Sequence, residues 1–298
     1  MESLAGTSIG DYNLSGSIGA GTTGEVLKAE DDSGSPCAVK VLHQALSLFS
    51  RVESYWEEVQ MVGMLDHQHI CVARSGDWSK SGRFYTVMPL LHGLDLAHVL
   101  KEHDKLPAIQ AVRLVGQACL ALEATHKEGI VHGAIKPENL FLVAKDSPET
   151  FSTRILDFAS GHLLDDDAED PPIGVQAHEY LAPEQYEGAA TKASDVYALG
   201  AVLCRCLLGR PPFVGTRDEV AEQLEKVDLS LPDDISQALT EILVKALSKS
   251  QDNRYADASA LREALEQWAG TKPEELTVAP LPVMGELAAD APGPPAPK

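Results

Sequence analysis

Positive charge is scarce in this sequence. Its 298 residues include 24 lysines and arginines against 45 aspartates and glutamates, so the formal net charge is −21. Such an acidic protein repels phosphate backbones and anionic lipid surfaces, and we expect neither nucleic acid nor a membrane surface as its partner. A solvated acidic surface is the ordinary explanation of this balance, and it requires no specific acidic interface.

Cysteines and long apolar stretches are also sparse. The five cysteines form no Cys-x-x-Cys pair, and their settings are apolar, so we expect buried free thiols rather than disulfides or metal ligands. No apolar run reaches the length of about 18 residues that a membrane-spanning helix needs. The first ten residues lack the basic start and apolar core of a signal peptide. These absences predict a reducing, cytoplasmic location with no membrane span.

The hydrophobic residues that are present suffice for a large folded unit. They make up 44% of the chain, which predicts one large domain or a two-lobed one with a substantial core. The end of the chain differs, because from Gly270 onward it is rich in Pro, Ala and Glu without apolar periodicity. This composition predicts a disordered tail or linker over residues 269–298.

Three glycines punctuate an alternating segment near the N terminus. Residues 12–29 alternate apolar and polar side chains, and within them Gly19, Gly21, Gly24 and Val26 spell G-x-G-x-x-G-x-V. The pattern predicts a strand, a glycine turn and a second strand. A dinucleotide-binding fold would need a helix directly after the glycines. The second strand instead favours a loop whose backbone N–H groups cover nucleotide phosphates.

Residues 131–139 read V-H-G-A-I-K-P-E-N, and this segment resembles the catalytic loop H-R-D-L-K-P-E-N of serine/threonine protein kinases. Two positions depart from the family pattern: Gly133 replaces the arginine, and Ala134 replaces the catalytic aspartate. Further family motifs follow in order, with D-F-A in place of D-F-G at 157–159 and A-P-E at 182–184. The chain is identified as similar to bacterial members of this family.

The resemblance implies an α+β, two-lobed fold with a small antiparallel β-sheet and one helix in the N-lobe and a larger, mainly helical C-lobe. It covers residues 12–268, after an N-terminal extension over 1–11. The N-lobe would run over about 12–88, the hinge over 89–91 and the C-lobe over 92–268. Within the C-lobe, Asp195 is expected to brace the catalytic-loop backbone, and Arg254 to pair with Glu184, both in structural roles.

The resemblance also implies an ATP site. Lys40 would hold the α- and β-phosphates and Glu58 would pair with it, although in isolation Lys40 would be an edge lysine and Glu58 an exposed helix acid. Asp95 could meet the ribose or cap the following helix, and the sequence leaves these alternatives open. The positions implied around the nucleotide are Ile18, Gly19, Gly21, Gly24, Val26, Ala38, Lys40, Glu58, Met88, Pro89, Leu91, Asp95 and Phe141.

The resemblance assigns Mg²⁺ binding to Asn139 and Asp157, and it assigns a retained catalytic-loop lysine to Lys136. The acceptor side is depleted, because Ala134 occupies the position of the catalytic base and Ala177 that of a threonine. No Ser, Thr or Tyr lies between Gly161 and Glu179. Three functions therefore remain open: an ATP- and Mg²⁺-binding pseudokinase that signals to a protein partner, a slow serine/threonine kinase, and a nucleotide-free scaffold. Glu138 is expected to face away from the acceptor.

Overall fold

The computed structural model describes most of the chain. The described residues are 4–144, 151–163, 178–188, 190–226, 231–232, 235–273 and 275–276. They form a β-rich N-terminal lobe and a helical C-terminal lobe, as the sequence predicted. No helix among them is long and apolar enough to cross a membrane. The five cysteines carry free thiols, as expected, and four of them are buried.

The N-terminal lobe is a six-stranded antiparallel sheet with one long helix. The strands follow the order β1-β2-β3-β4-β6-β5 across the sheet. The first of them lies within the predicted N-terminal extension and pairs with β2, so the ordered sheet begins before residue 12. The bounds are β1 Ser8–Ile9, β2 Tyr12–Ala20, β3 Gly24–Glu30, β4 Pro36–Leu42, helix α1 Phe49–Gly63, β5 Ser75–Trp78 and β6 Phe84–Pro89.

The alternation of side chains in β3 and β4 gives the sheet two apolar faces. One face buries Leu27, Val39 and Val41. The other carries Leu42, which packs with Val52 of α1. Each fully buried aliphatic side chain contributes about 1.5–3 kcal/mol to stability. The sheet and α1 are therefore held together mainly by apolar burial.

The C-terminal lobe is built around one buried helix and a small sheet. Helix α3 is buried along much of its length, and the antiparallel strands β7-β8-β9 lie beside it. The bounds are β7 Gly93–Asp95, α2 Leu96–Glu102, α3 Ala108–Lys127, β8 Leu140–Ala144, β9 Phe151–Ile155, α4 Lys192–Leu208, α5 Arg217–Lys226, α6 Gln237–Ala246 and α7 Ala258–Ala269.

The chain does not leave the C-lobe at the end of α7. Pro273 packs so closely on α3 that a Cβ added at Gly116 would lie 2.5 Å from its ring. Leu276 is 7% exposed, and its carbonyl oxygen accepts a hydrogen bond from Arg113 Nη1 at 2.6 Å. The start of the predicted tail is therefore packed rather than free, while residues 277–298 lie outside the described residues.

Candidate nucleotide-binding site

A cleft with a cavity of about 300 Å³ lies between the two lobes. This volume is at the small end of the range of ligand pockets. Most of the residues that the resemblance assigned to a nucleotide and its metal meet in this cleft. They are Ile18, Gly19, Gly21, Gly24, Val26, Lys40, Met88, Asp95, Lys136, Asn139, Phe141 and Asp157.

Five predicted positions lie outside the lining of the cleft. Ala38 is buried in β4 and pairs with Met88 across the sheet. Pro89 borders a different cavity, behind the hinge. The other three are Glu58, Leu91 and Ala134.

The glycine turn between β2 and β3 is shaped by close backbone packing. A Cβ at Gly24 would lie 2.3 Å from the carbonyl oxygen of Val41, so a side chain at this position would push β3 away from β4. The Nε2 atom of His43 lies 2.9 Å from the Gly21 carbonyl oxygen and ties the turn to the end of β4. Gly21 has open space around it, so its backbone is accessible from the cleft.

Lys40 and Glu58 have separate partners in the structure. The Lys40 ammonium nitrogen lies 2.6 Å from Asp157 Oδ1, and Glu58 Oε2 lies 2.9 Å from His162 Nε2. The expected Lys40–Glu58 pair is therefore replaced by two other pairs. Tyr55, on the same helix as Glu58, lines the cleft instead.

The turn Ser160–Leu163, which directly follows D-F-A, accounts for this rearrangement. Leu163 is fully buried against α1, in a cluster with Val52, Tyr55 and Val59. This packing brings His162 to Glu58. Ala159 adopts φ +65°, a left-handed conformation that costs a residue with a Cβ about 1–2 kcal/mol. Burial of the turn against α1 offsets that cost.

The Lys40–Asp157 pair keeps both groups charged although Lys40 is almost fully buried. Burial alone would lower the pKa of Lys40, but the Asp157 carboxylate outweighs it and raises the pKa above its usual range. For Asp157, burial favours the neutral acid, but Lys40, Lys136 and His132 together hold the pKa of its carboxyl below the usual range. Two lysines therefore face one carboxylate in the cleft.

Of the two lysines, Lys136 loses its proton more readily. Burial lowers the pKa of Lys136, and the nearby carboxylates of Glu138 and Asp157 counteract only part of that effect. An anionic ligand entering the cleft would favour the protonated ammonium group. The wall of the cleft that carries Lys40 and Lys136 therefore favours an anionic ligand.

Asp195 fixes the backbone of the catalytic-loop segment. Its carboxylate accepts hydrogen bonds from the backbone N–H groups of His132 at 2.9 Å and Gly133 at 2.8 Å, and it also contacts His126 Nε2 at 2.8 Å. The Nε2 atom of His132 lies 2.9 Å from the carbonyl oxygen of Leu156, the residue before Asp157. Asp195 therefore braces the catalytic-loop backbone, as the sequence predicted, and His132 connects that segment to the strand end before Asp157.

Asn139 and Ala134 are joined directly. The side-chain Nδ2 of Asn139 donates to the Ala134 carbonyl oxygen at 2.8 Å, which leaves Asn139 Oδ1 as an acceptor toward the cleft. The side chain of Ala134 is only a methyl group. Gly133 beside it has φ +69°, so glycine at this position also removes the strain that a larger residue would carry.

The Arg254–Glu184 pair that the sequence predicted is present deep in the C-lobe. Arg254 Nη1 lies 2.7 Å from Glu184 Oε1, and the two side chains are 0% and 9% exposed. Ser194 also donates to Glu184, and burial, which would raise the pKa of this carboxyl, is outweighed so that the pKa falls below its usual range. The pair fixes the segment after residue 182 to the C-lobe.

Asp95 and Phe141 both line the cleft, and Asp95 also caps a helix. Asp95 Oδ1 accepts from the His98 backbone N–H at 2.8 Å and so caps α2, and the residue also lines the cleft. Phe141 is half-buried in β8 and also lines the cleft.

Sequence reasoning missed three residues. Tyr55 and Glu138 line the cleft, and His162 binds Glu58. Glu138 was visible inside the K-P-E-N motif but was expected to face away from the acceptor. Tyr55 and His162 carried no such signal, because their positions depend on how α1 and the turn Ser160–Leu163 pack. Ala177 lies outside the described residues, as does the segment 165–170, in which five of the six residues are acidic.

The family model described as "protein kinase domain" matches residues 12–267. This chain belongs to the protein kinase family. It is 34% identical over 279 residues to the serine/threonine-protein kinase Pkn1 of Myxococcus xanthus, and this alignment covers 89% of the chain and 39% of that protein. It is 32% identical to the serine/threonine-protein kinase PknB of Mycobacterium leprae, with 89% and 44% covered.

The serine/threonine-protein kinase PknE of Mycobacterium tuberculosis is a third relative, 30% identical over 88% of this chain and 47% of its own length. The chain thus spans less than half the length of these relatives. Their names identify them as bacterial serine/threonine kinases, so the protein kinase family and its two-lobed fold are shared with them.

Proposed function

We propose that this protein is a pseudokinase: a kinase-fold module that binds ATP with Mg²⁺ and acts on a protein partner through its shape. The observation that carries the proposal is the contrast between the retained cleft residues and the methyl group of Ala134. Lys40, Lys136, Asn139 and Asp157 line one cleft with the glycine turn. Ala134 brings no carboxylate to the loop beside them. A cytoplasmic location remains a prediction from the sequence.

The residues that remain suit a metal–triphosphate. Mg²⁺ takes oxygen ligands and is bound by one or two carboxylates together with substrate phosphates rather than by an all-protein cage. The described residues contain no cluster of three or more His, Cys, Asp or Glu side chains that could hold a metal unaided. Asp157 and Asn139 Oδ1 would hold the ion, and the ion would neutralise phosphate charge. Lys40 would exchange Asp157 for the phosphates.

The absence of a carboxylate at Ala134 supports the proposal that phosphoryl transfer is no longer efficient. A general base that accepts the proton of an incoming hydroxyl contributes about 10²–10⁴-fold to rate. This corresponds to roughly 3–5 kcal/mol of the activation barrier. With a methyl group at this position, the efficient turnover of ~1–100 per second that kinases show is not expected.

A slow but real kinase is the second candidate, and Glu138 is the observation that favours it. Glu138 lines the cleft with Lys136 and Asn139, and its carboxylate influences the pKa of Lys136. A carboxylate on this wall could orient an acceptor hydroxyl in place of the missing aspartate. The sequence did not predict this position for Glu138.

A nucleotide-free scaffold is the third candidate. Phe141 lines a cavity of only about 300 Å³, and Asp157 already pairs with Lys40. Both features reduce the room and the free charge available to ATP.

Incorporation of radiolabelled phosphate from Mg-ATP separates the first two candidates. The protein, its Asp157→Ala variant and its Glu138→Gln variant would be compared on a general protein substrate and on the protein itself. The pseudokinase proposal predicts incorporation at background in all three. Robust incorporation that is lost in both variants would contradict it and would identify Glu138 as the substitute carboxylate.

A further inference from the structure

A second cavity lies next to the nucleotide cleft. It has a volume of about 700 Å³, and its borders are the C-terminal half of α1, the segment 66–74, Pro89 and Arg154. We call it the back trough. Segment 71–73 lines both the back trough and the nucleotide cleft, so the two cavities share one wall.

The back trough is basic in a strongly acidic protein. Arg74 and Arg154 both line it, and Asp66 is the only acidic lining residue within the part of the chain that the structure describes. Arg74 is exposed, whereas Arg154 is half-buried, and its Nε atom is buried without a hydrogen-bond partner among the described residues. A buried guanidinium N–H without an acceptor is costly, and a carboxylate is its natural partner.

The charges of both arginines affect the Cys71 thiol, which is part of the trough wall. Burial raises the pKa of the Cys71 thiol to about 11, and the positive charges of Arg154 and Arg74 oppose that rise. Both guanidinium groups therefore lie within electrostatic range of Cys71, which lines the same cavity.

The rest of the trough combines polar side chains with several apolar ones. Met64, at the end of α1, is 82% exposed, and Trp56 and Val62 line the cavity beside it. Met64 and Met61 are among the most exposed large apolar side chains of the described residues. Apolar side chains next to two arginines fit an extended segment that carries both apolar and acidic residues.

The chain itself carries such a segment, and the last described residues place its start near the trough. The Leu276 carbonyl binds Arg113 Nη1, and Arg113 Nη2 lies 3.4 Å from the Phe151 carbonyl oxygen. Phe151 begins β9, and Arg154 lies three residues further along that strand, at about 10 Å. The segment after Leu276 therefore starts one short strand away from the back trough.

The segment from 277 to 298 has the length and composition to enter the trough. Fully extended, it could span up to ~70 Å. It begins with an apolar part and continues with two acids and a single terminal lysine, Lys298. The apolar residues are Val278, Leu281, Val283, Met284 and Leu287, and the acids are Glu286 and Asp290.

We propose that the segment after Leu276 docks into the back trough of its own chain. Its apolar residues cover Met64 and Trp56, and its carboxylates bind Arg74 and Arg154. The docked segment then contacts residues 71–73, which also line the nucleotide cleft. The proposal does not depend on whether the cleft binds ATP.

Photo-crosslinking in the full chain tests this docking. A benzophenone amino acid in place of Met284 inserts into nearby C–H bonds, and the crosslinked peptides are identified by mass spectrometry. We expect an intramolecular crosslink to residues 56–74 or to the peptide that contains Arg154. Its yield should be independent of protein concentration and should fall in 0.5 M salt, since salt screens the exposed charges.

Charge variants make the test specific. Arg74→Glu combined with Arg154→Gln should lower the crosslink yield about fivefold, which corresponds to the upper range of an exposed ion pair. Arg210→Glu, which changes an exposed arginine in the turn after α4, is the matched control and should leave the yield unchanged. If the double variant melts early, the exposed Arg74→Glu alone should still lower the yield.

Three outcomes would overturn the proposal. A crosslinked product of dimer size that disappears on dilution would assign the trough to a second copy. Crosslinks that map to other surfaces would place the segment elsewhere. An equal loss of yield in Arg210→Glu would show that net charge, not the trough, governs the contact.

Discussion

The two sides of the cleft differ in how many of the residues typical of the kinase family they retain. On the phosphate side, Lys40, Asn139 and Asp157 remain, and Lys40 pairs with Asp157 at 2.6 Å. On the acceptor side, Ala134 carries a methyl group and Gly133 no side chain, although Asp195 still holds the backbone of both sides in register through His132 and Gly133. The backbone around the cleft is therefore held in place although Ala134 brings no carboxylate to it.

Restoring the acceptor side is the change with the largest expected effect. Ala134→Asp puts a carboxylate on a backbone that Asp195 and Asn139 already fix. We expect phosphoryl transfer to rise about 10²–10⁴-fold, because a positioned base would again accept the hydroxyl proton. Radiolabelled-phosphate incorporation measures it, with Ala134→Asn as the control of equal size. No gain over that control would show that the acceptor side lacks more than one carboxylate.

Disrupting the buried Arg254–Glu184 pair of the C-lobe tests its contribution to stability. Glu184→Gln leaves the buried Arg254 guanidinium without a charged partner, and we expect a loss of about 3–5 kcal/mol in the free energy of unfolding. Urea denaturation measures this loss. Glu222→Gln is the matched control, because its pair with Lys226 is exposed, and we expect a change within about 1 kcal/mol. Equal effects of the two variants would refute the structural role of the Arg254 pair.

The same pair predicts a pH dependence. The pKa of Glu184 is lowered in the folded protein, so its contribution is present above the usual glutamate pKa of about 4.3 and is lost as the pH falls through the lower folded value. The difference in unfolding free energy between the protein and Glu184→Gln should therefore narrow from pH 7 to pH 3. A difference that stayed constant over this range would contradict the assigned pKa direction.

Removing a phosphate-side ligand should weaken nucleotide binding without affecting the acceptor side. Asp157→Asn keeps the shape of the residue but removes the charge that faces Lys40. We expect the affinity for Mg-ATP to fall at least about tenfold, or roughly 1.4 kcal/mol, while binding of ATP without metal changes little. Fluorescence titration with and without Mg²⁺ measures both. Equal weakening under the two conditions would argue against a metal at Asp157.

The smallest expected effect concerns the backbone of the acceptor side. Gly133→Ala forces a Cβ into a left-handed conformation at φ +69° and to within 3.3 Å of the Ala190 Cβ, so we expect a loss of about 1–2 kcal/mol of stability. Gly161→Ala is the control, because nothing lies within 4 Å of its added Cβ. Denaturant unfolding of both variants checks the difference, and a neutral Gly133→Ala would show that the turn is not strained.

Much of the frame was predictable from the sequence because it depends on local motifs. The glycine turn, the brace from Asp195 and the Arg254–Glu184 pair occupy their expected places. Those motifs fix backbone geometry and buried charge pairs, which a fold of this kind cannot change without loss of stability.

The partner of Lys40 could not be predicted in the same way. The motif around Glu58 fixes its position on α1, but its partner depends on how Leu163 and His162 pack against that helix. The packing of Pro273 and Leu276 was missed for a related reason, because single residues in a Pro- and Ala-rich stretch give no periodic signal.

The most direct test of the central claim is a thermal-unfolding titration of the protein with Mg-ATP. If the phosphate side still binds a metal–triphosphate, saturation at 100 times Kd should stabilise the protein by about 2.7 kcal/mol, and Asp157→Asn, which weakens binding at least about tenfold, should remove about half of this gain or more at the same concentration. An unchanged melting temperature up to millimolar Mg-ATP would contradict the account and favour a nucleotide-free scaffold.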